Sequence, residues 1–284
     1  MTDLRTPPVD GGDLFSERAR QYALEKPLQR IHILEAGCGW GTGLNLGDRA
    51  HVVTGVDMDV PELRAYTCER TDLDSWHLGD LRTVPLPPRS YDVVHASYLI
   101  ERVPHAEIVL DRFVAALKPG GLLLVRMRDR DTAFGFLDRT LPNRLRPGRR
   151  RRRARPGRAP RGAHARVEPD AAGREAGQEA GREPRQDPRQ EAAPAPRPLT
   201  APPPAVYDRV ASRRGLRWYC TMRGLVVAEE YTSRASLDGL GAGTGPADLL
   251  CRLVAVCTRG RLTAAHSDVT LVIRKPENRF ARVI

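Results

Sequence analysis

The chain has 284 residues and a formal charge of +11, from 46 Lys and Arg against 35 Asp and Glu. That is enough chain for one large domain or two small ones with a buried core. A mean hydropathy of −0.45, with no apolar run near the roughly 18 residues that a span needs, excludes a membrane span and predicts no membrane partner. The opening MTDLRTPPVDGGDLF lacks the apolar stretch of a secretory leader. Cys38, Cys68, Cys220, Cys251 and Cys257 fall in no metal-ligand spacing, so neither a metal site nor a disulfide framework is expected, and a reducing cytoplasm fits. The positive charge raises nucleic-acid binding as a function, and where the charge sits decides how much weight that carries.

In chain order, apolar runs at 31–36, 52–56, 75–78, 91–96 and 122–126 read as strands alternating with helical stretches, the pattern of βαβ units and a parallel sheet. A helix is predicted over 105–117, with Ile108, Val109, Phe113, Val114 and Leu117 at three- and four-residue spacing. Lys118-Pro119-Gly120-Gly121 then stops it. After residue 205 come a helix over 206–223, a strand over 225–231, a helix over 246–258 and a last strand over 268–274. Seven strands with interleaved helices predict a single α/β domain, a Rossmann-like and mostly parallel sheet with helices on both faces and an antiparallel terminal strand.

Between these blocks lies a different composition. Residues 146–204 hold 15 arginines, seven acidic residues and 12 of the 24 prolines, with no aromatic, and Val167 and Leu199 are their only apolar residues besides alanine. Such a stretch cannot bury enough surface to offset chain ordering, which predicts disorder. It is also what a GC-rich coding sequence yields when read out of frame, in a chain with 43 Arg and 3 Lys. The expected organisation is therefore 1–143, a disordered insertion over 144–205, and 206–284 as the rest of the same domain. Residues 146–204 carry +8 of the charge, so the other 225 residues stand at +3. A nucleic-acid partner through Arg149–Arg153 drops to an alternative, since the stretch has no aromatic for base stacking and its part from Glu168 to Glu191 is acidic.

Chemistry concentrates at Ile33-Leu34-Glu35-Ala36-Gly37-Cys38-Gly39-Trp40-Gly41-Thr42-Gly43. An apolar strand runs straight into alternating glycines, which let the backbone turn tightly and approach a ligand. A second strand ends in Asp57, 20 residues after Gly37, where a carboxylate accepts hydrogen bonds from ribose hydroxyls. The dinucleotide pattern GxGxxG would need glycine at Thr42, which argues against a dehydrogenase.

The pattern E-x-G-x-G-x-G resembles motif I of the class I S-adenosylmethionine-dependent methyltransferases. Val56-Asp57-Met58-Asp59 is similar to the family's ribose motif, His77-Leu78-Gly79-Asp80-Leu81 to its adenine motif, 91–97 to its fourth-strand motif, and 117–121 to the turn before the fifth strand. Residues 126–131, 134–136 and 210–215 look like one bacterial group within the family. The resemblance implies S-adenosyl-L-methionine as cofactor and a small-molecule substrate. It places Glu35, Gly37, Gly39, Gly41, Asp57, Met58, Asp80 and Leu81 around the cofactor, with Asp80 accepting from the adenine amino group and the Leu81 amide donating to a ring nitrogen. Two departures stand out. Only about eight residues, interrupted by Gly47, remain for the first helix, and the insertion replaces a region that usually helps to cover the substrate.

Catalytic residues are not assigned by the motifs. Methyl transfer is an in-line displacement aided by positioning, and an oxygen nucleophile also needs a base. Glu101 and His105 are the candidates. His105 reads first as a solvated residue before a helix, and Glu101 first as a structural partner of Arg102 or Arg128. Arg126, Arg128 and Arg130 read as a substrate-anion site or as solvated charge, and Tyr98 as pocket wall or core. His95 reads as a core histidine, Trp40 as a cofactor shield or sheet-edge packing, and the cysteines as small buried apolar residues. A non-catalytic protein on the same fold is the remaining alternative.

Overall fold

The computed structural model describes residues 13–41, 43–141 and 205–277, without the side chains of Trp40 and Glu62. The expected insertion, save Ala205, lies outside the described residues, as do Thr42 and the side chain of Trp40. The described residues belong to one compact unit, formed by the chain on both sides of residues 152–196.

The sequence alternation builds a seven-stranded sheet. Helix α1 (Leu14–Leu24) is followed by β1 (Ile31–Ala36), β2 (His51–Asp57), α2 (Pro61–Glu69), β3 (Ser75–Leu78), β4 (Tyr91–Ser97), α3 (Ala106–Ala116), β5 (Leu117–Arg128) and α4 (Ala133–Thr140). After residue 204 come α5 (Arg213–Met222), β6 (Val226–Ser233), α6 (Ala235–Asp238), α7 (Thr244–Cys257) and β7 (Asp268–Arg274). The strand order is 3-2-1-4-5-7-6. Strands β1 to β5 are parallel, and β7 runs antiparallel to both β5 and β6. The chain winds outward from β1 to β3 and returns to β4, so the order switches between β1 and β4, where open α/β sheets form their ligand crevice.

Period-two alternation along the strands separates two cores. Ile31, Ile33, Val53, Val93, Leu122 and Leu124 face Phe15, Ala19 and Tyr22 of α1. Their neighbours Leu34, Val56, Val94, Leu123, Val125 and Leu271 pack against Val109 and Phe113 of α3 and Leu216 and Tyr219 of α5. A third cluster joins Phe134 and Leu137 of α4 to Leu237 of α6 and Ala247 and Cys251 of α7. Because β6 ends and β7 begins opposite Arg128, this helical cap rises from the edge that also carries the C-terminal ends of β1 to β5.

The structure corrects several expected boundaries. The helix predicted over 206–223 begins only at Arg213: Ser212 caps it by accepting from the Gly215 amide, and Tyr207 stands at φ 55, which a helix cannot continue through. Strand β5 starts five residues earlier than predicted, because Tyr91 pairs with Leu117 before a bulge. The glycine motif itself contains a 3₁₀ turn, Cys38–Trp40, and the short first helix expected after Gly43 is absent: residues 43–50 run as coil and turn into β2. Cys68 and Cys257 are exposed, not buried; Cys38, Cys220 and Cys251 are buried as expected.

Candidate functional site

The glycine motif leaves β1 through Gly37, whose φ of +82 favours glycine and whose amide donates to Val56 O at 2.8 Å. Leu99, just past β4, packs where a Gly37 side chain would begin, with its Cδ1 3.5 Å from that point. The turn is thus seated at the β1–β4 switch.

At the end of β2, Asp57 is buried. One carboxylate oxygen accepts from the Gly39 amide at 2.9 Å and the other from the Met58 amide at 2.7 Å. Burial pushes its pKa up against the pull of these two amides. A Cβ on Gly39 would stand 2.7 Å from Leu63 Cδ2 and 3.1 Å from Asp57 Oδ2, so this glycine keeps the loop close enough to bond the carboxylate. Two amides leave a carboxylate, with about four acceptor positions, capacity for ribose hydroxyls.

Glu35 does something the motif did not announce. Its oxygens take a bidentate pair from Arg70, at 2.9 and 2.7 Å, and the Gly43 amide donates to it at 3.3 Å. Arg70 also donates to Cys38 O at 2.6 Å and pairs with Asp72. A Cβ on Gly41 would overlap Glu35 Oε1. In this structure, then, Glu35 ties the glycine turn to the end of α2, and Gly41 leaves room for it.

Beyond β3, the Gly79 amide donates to Asp57 O at 2.8 Å, which sets Asp80 beside the β2 terminus. Asp80 is exposed and held by Arg82, whose guanidinium and amide bring its pKa down to about 2. Leu81 is buried, while Met58 keeps an exposed apolar side chain. Gly37, Gly39, Asp57, Met58 and Asp80 therefore share the C-terminal edge of three adjacent parallel strands.

Residues 13–186 match the family model described as a methyltransferase domain, more than half of the chain. The chain belongs to the class I S-adenosylmethionine-dependent methyltransferases. Among curated proteins, this methyltransferase is 38% identical over 137 residues to a probable S-adenosylmethionine-dependent methyltransferase of Mycolicibacterium smegmatis, covering 46% of this chain and 52% of that one. It is 29% identical over 114 residues to the trans-aconitate 2-methyltransferase of Variovorax paradoxus, covering 39% and 44%. The chain thus spans about half the length, or less, of these relatives. The structure of Haemonchus contortus phosphoethanolamine N-methyltransferase 2 in complex with S-adenosyl-L-methionine aligns over 92% of this chain and 53% of that one, at 14% identity and a TM-score of 0.46.

The two candidate bases of the methyltransferase sit differently. Glu101 is fully buried in the turn after β4, and neither side-chain oxygen has a hydrogen-bond partner among the described residues. Burial pushes its pKa up to about 7, opposed by Arg102 and Arg128; the Arg102 Nε lies 3.9 Å away. His105 is exposed and stands just before α3 at φ 56, making no side-chain cap. Arg128, rather than facing solvent, donates to Asp138 at 3.1 Å and to Ser236 at 3.3 Å. Arg126 lies over the Phe15 ring at 5.0 Å and donates to Thr270 at 3.3 Å. His95 is a core histidine, edge-on to Phe15 and bonded to Ser97 at 2.9 Å, and burial takes its pKa down to about 4. Tyr98 is held at φ 54, its amide donating to Arg126 O at 2.6 Å; strain of this kind gathers near functional sites. Among the described residues no group of His, Cys, Asp and Glu could hold a metal ion.

Proposed function

We propose that this methyltransferase transfers the methyl group of S-adenosyl-L-methionine to a small-molecule acceptor by in-line displacement. The observation that carries the reading is the buried Asp57 carboxylate at the end of β2, fixed by the Gly39 and Met58 amides next to the glycine turn of β1. The residue types around it fit the cofactor: Asp57 for ribose hydroxyls, Met58 for the adenine face, Asp80 and the Leu81 amide for the adenine edge, and Gly37 and Gly39 for close backbone approach. Glu35 supports the cradle through Arg70. When bound, the cofactor supplies an electrophilic methyl on a sulfonium. The chain's own part is to orient and desolvate, and for a hydroxyl acceptor to take up a proton. Glu101, able to exchange a proton near neutral pH, is the candidate for that proton, and His105 is the second.

Calorimetric titration with S-adenosyl-L-methionine tests this directly. The full chain is expected to bind, and Asp57→Ala to lose at least tenfold in affinity, since the substitution removes charge-assisted hydrogen bonds worth roughly 1.5–3 kcal/mol. Absence of binding by the intact chain, or equal binding by the variant, would sink the reading.

A further inference from the structure

Helix α7 shows an apolar surface on two sides. Ala247, Cys251 and Val254 face α4 and α6. Leu249, Leu250, Leu253 and Val256 lie on the adjoining arc and are between 46 and 76% exposed. On a 3.6-residue repeat these two sets are contiguous, while Asp248 and Arg252 hold the remaining side, joined at 2.9 Å. A helix apolar over that much of its circumference is normally covered on both sides.

Three things on the molecule bear on what covers it. The chain leaves the described structure at Leu141, which packs in the same cluster, but residues 142–204 offer only Leu145, Val167 and Leu199 as large apolar side chains. They are a poor cover for four. The charges bordering the exposed arc are mainly cationic: Arg252, Arg259 and Arg261 are exposed, and Asp248 is taken up by Arg234 and Arg252. Asp238 is the one exposed carboxylate among the described residues of the cap. Eight of the twelve residues 144–155, just after the exit point, are arginine. Two such faces, on chains of charge +11, repel one another, which disfavours a second copy as occupant. An apolar arc bordered by arginines instead complements a surface that is apolar inside and anionic outside.

We propose that the exposed face of α7 docks on an anionic phospholipid surface, with Leu249, Leu250, Leu253 and Val256 entering the acyl boundary and Arg252, Arg259 and Arg261 meeting headgroup phosphates. No helix among the described residues is long and apolar enough to cross a membrane, and this contact needs none. The docked face belongs to the cap that rises from the same sheet edge as Asp57. The inference stands independently of which molecule accepts the methyl group.

The full chain is mixed with sedimentable vesicles of pure phosphatidylcholine, or of equal parts phosphatidylcholine and phosphatidylglycerol, and the bound fraction is measured against salt. Binding to the anionic vesicles, weakened by salt, is expected, with little binding to pure phosphatidylcholine. The double variant Leu250→Glu, Leu253→Glu changes only exposed positions and should melt like the parent, yet lose at least tenfold in partition, since each leucine carries a transfer free energy of that order. Unchanged binding by this variant would assign any lipid affinity to the arginine run alone and overturn the proposal. Absence of vesicle binding overturns it too, as does a parent that is dimeric by light scattering beside a monomeric variant, which would make the face an interface between copies.

Discussion

A single side chain, Glu101, holds the least expected electrostatics in the molecule. Its carboxyl is closed off from solvent with neither oxygen hydrogen-bonded among the described residues, although its own backbone carbonyl accepts the Val206 and Tyr207 amides at 2.8 and 2.9 Å. Burial raises its pKa from 4.5 to about 7. Between those values the folded chain holds a proton that the unfolded chain has released. Stability is therefore fully present below about pH 4.5, falls as pH rises toward 7, and is level above. The loss is of order 3 kcal/mol at most. Urea unfolding from pH 5 to 8 should show this decline in the wild type and a much flatter curve in Glu101→Gln; parallel curves would show that Glu101 is already ionised at pH 5.

The same scale shows what the motifs could and could not convey. The turn at 37–41 and the carboxylate of Asp57 beside it are legible because glycine after a strand and a carboxylate after the next strand are local patterns. That Glu35 would be taken by Arg70 was not, because the partner lies 35 residues away and no local signal links them. Gly41 also gives clearance to Glu35, since a Cβ there would overlap its Oε1.

Among the elements, α4 and α5 start by one shared device. Thr132 and Ser212 each accept from the amide of the glycine three residues on, Gly135 and Gly215, both at 3.0 Å. A Cβ on Gly135 would overlap Asp129 O, and one on Gly215 would overlap Arg209 O, because the incoming chain passes directly beneath the first turn. Gly215→Ala must push that backbone away, and a loss of about 1–3 kcal/mol is expected. Gly245, inside α7, has nothing within 4 Å of its Cβ position. Gly245→Ala should instead stabilise by about 0.4–1 kcal/mol through the unfolded chain. Thermal melts of the two variants should move in opposite directions, and a gain for Gly215→Ala would refute the clearance argument. This device also explains the misplaced helix start. The helix expected from Val206 starts at Arg213 because the cap at Ser212 and the close pass at Arg209 fix the first turn there. The strands other than β5 lie within a few residues of their expected ranges because apolar runs bounded by turn residues, such as those of β4 and β7, are a signal that lies wholly within the segment.

At the scale of the whole chain, the charge and the fold separate. The described residues on both sides of residues 152–196 contribute to one compact unit, and β5, from before that stretch, pairs with β7, from after it. Excising 152–196 shortens the connection between Leu141 and Ala205 from 63 to 18 residues. The composition of residues 146–204 predicts a disordered connection, and the entropy of closing such a loop grows by about 0.6 kcal/mol per doubling, so a connection shortened nearly fourfold should stabilise the fold by about 1 kcal/mol. For a folded part of this size that is a rise of roughly 2–4 °C in Tm. Affinity for S-adenosyl-L-methionine should be unchanged, because the proposed cofactor residues Gly37, Gly39, Asp57 and Asp80 all lie at or just past strand ends far from the cut in sequence. A fall in Tm would mean that residues 152–196 pack on the fold, and lost affinity at an unchanged Tm would place part of the cofactor site within them.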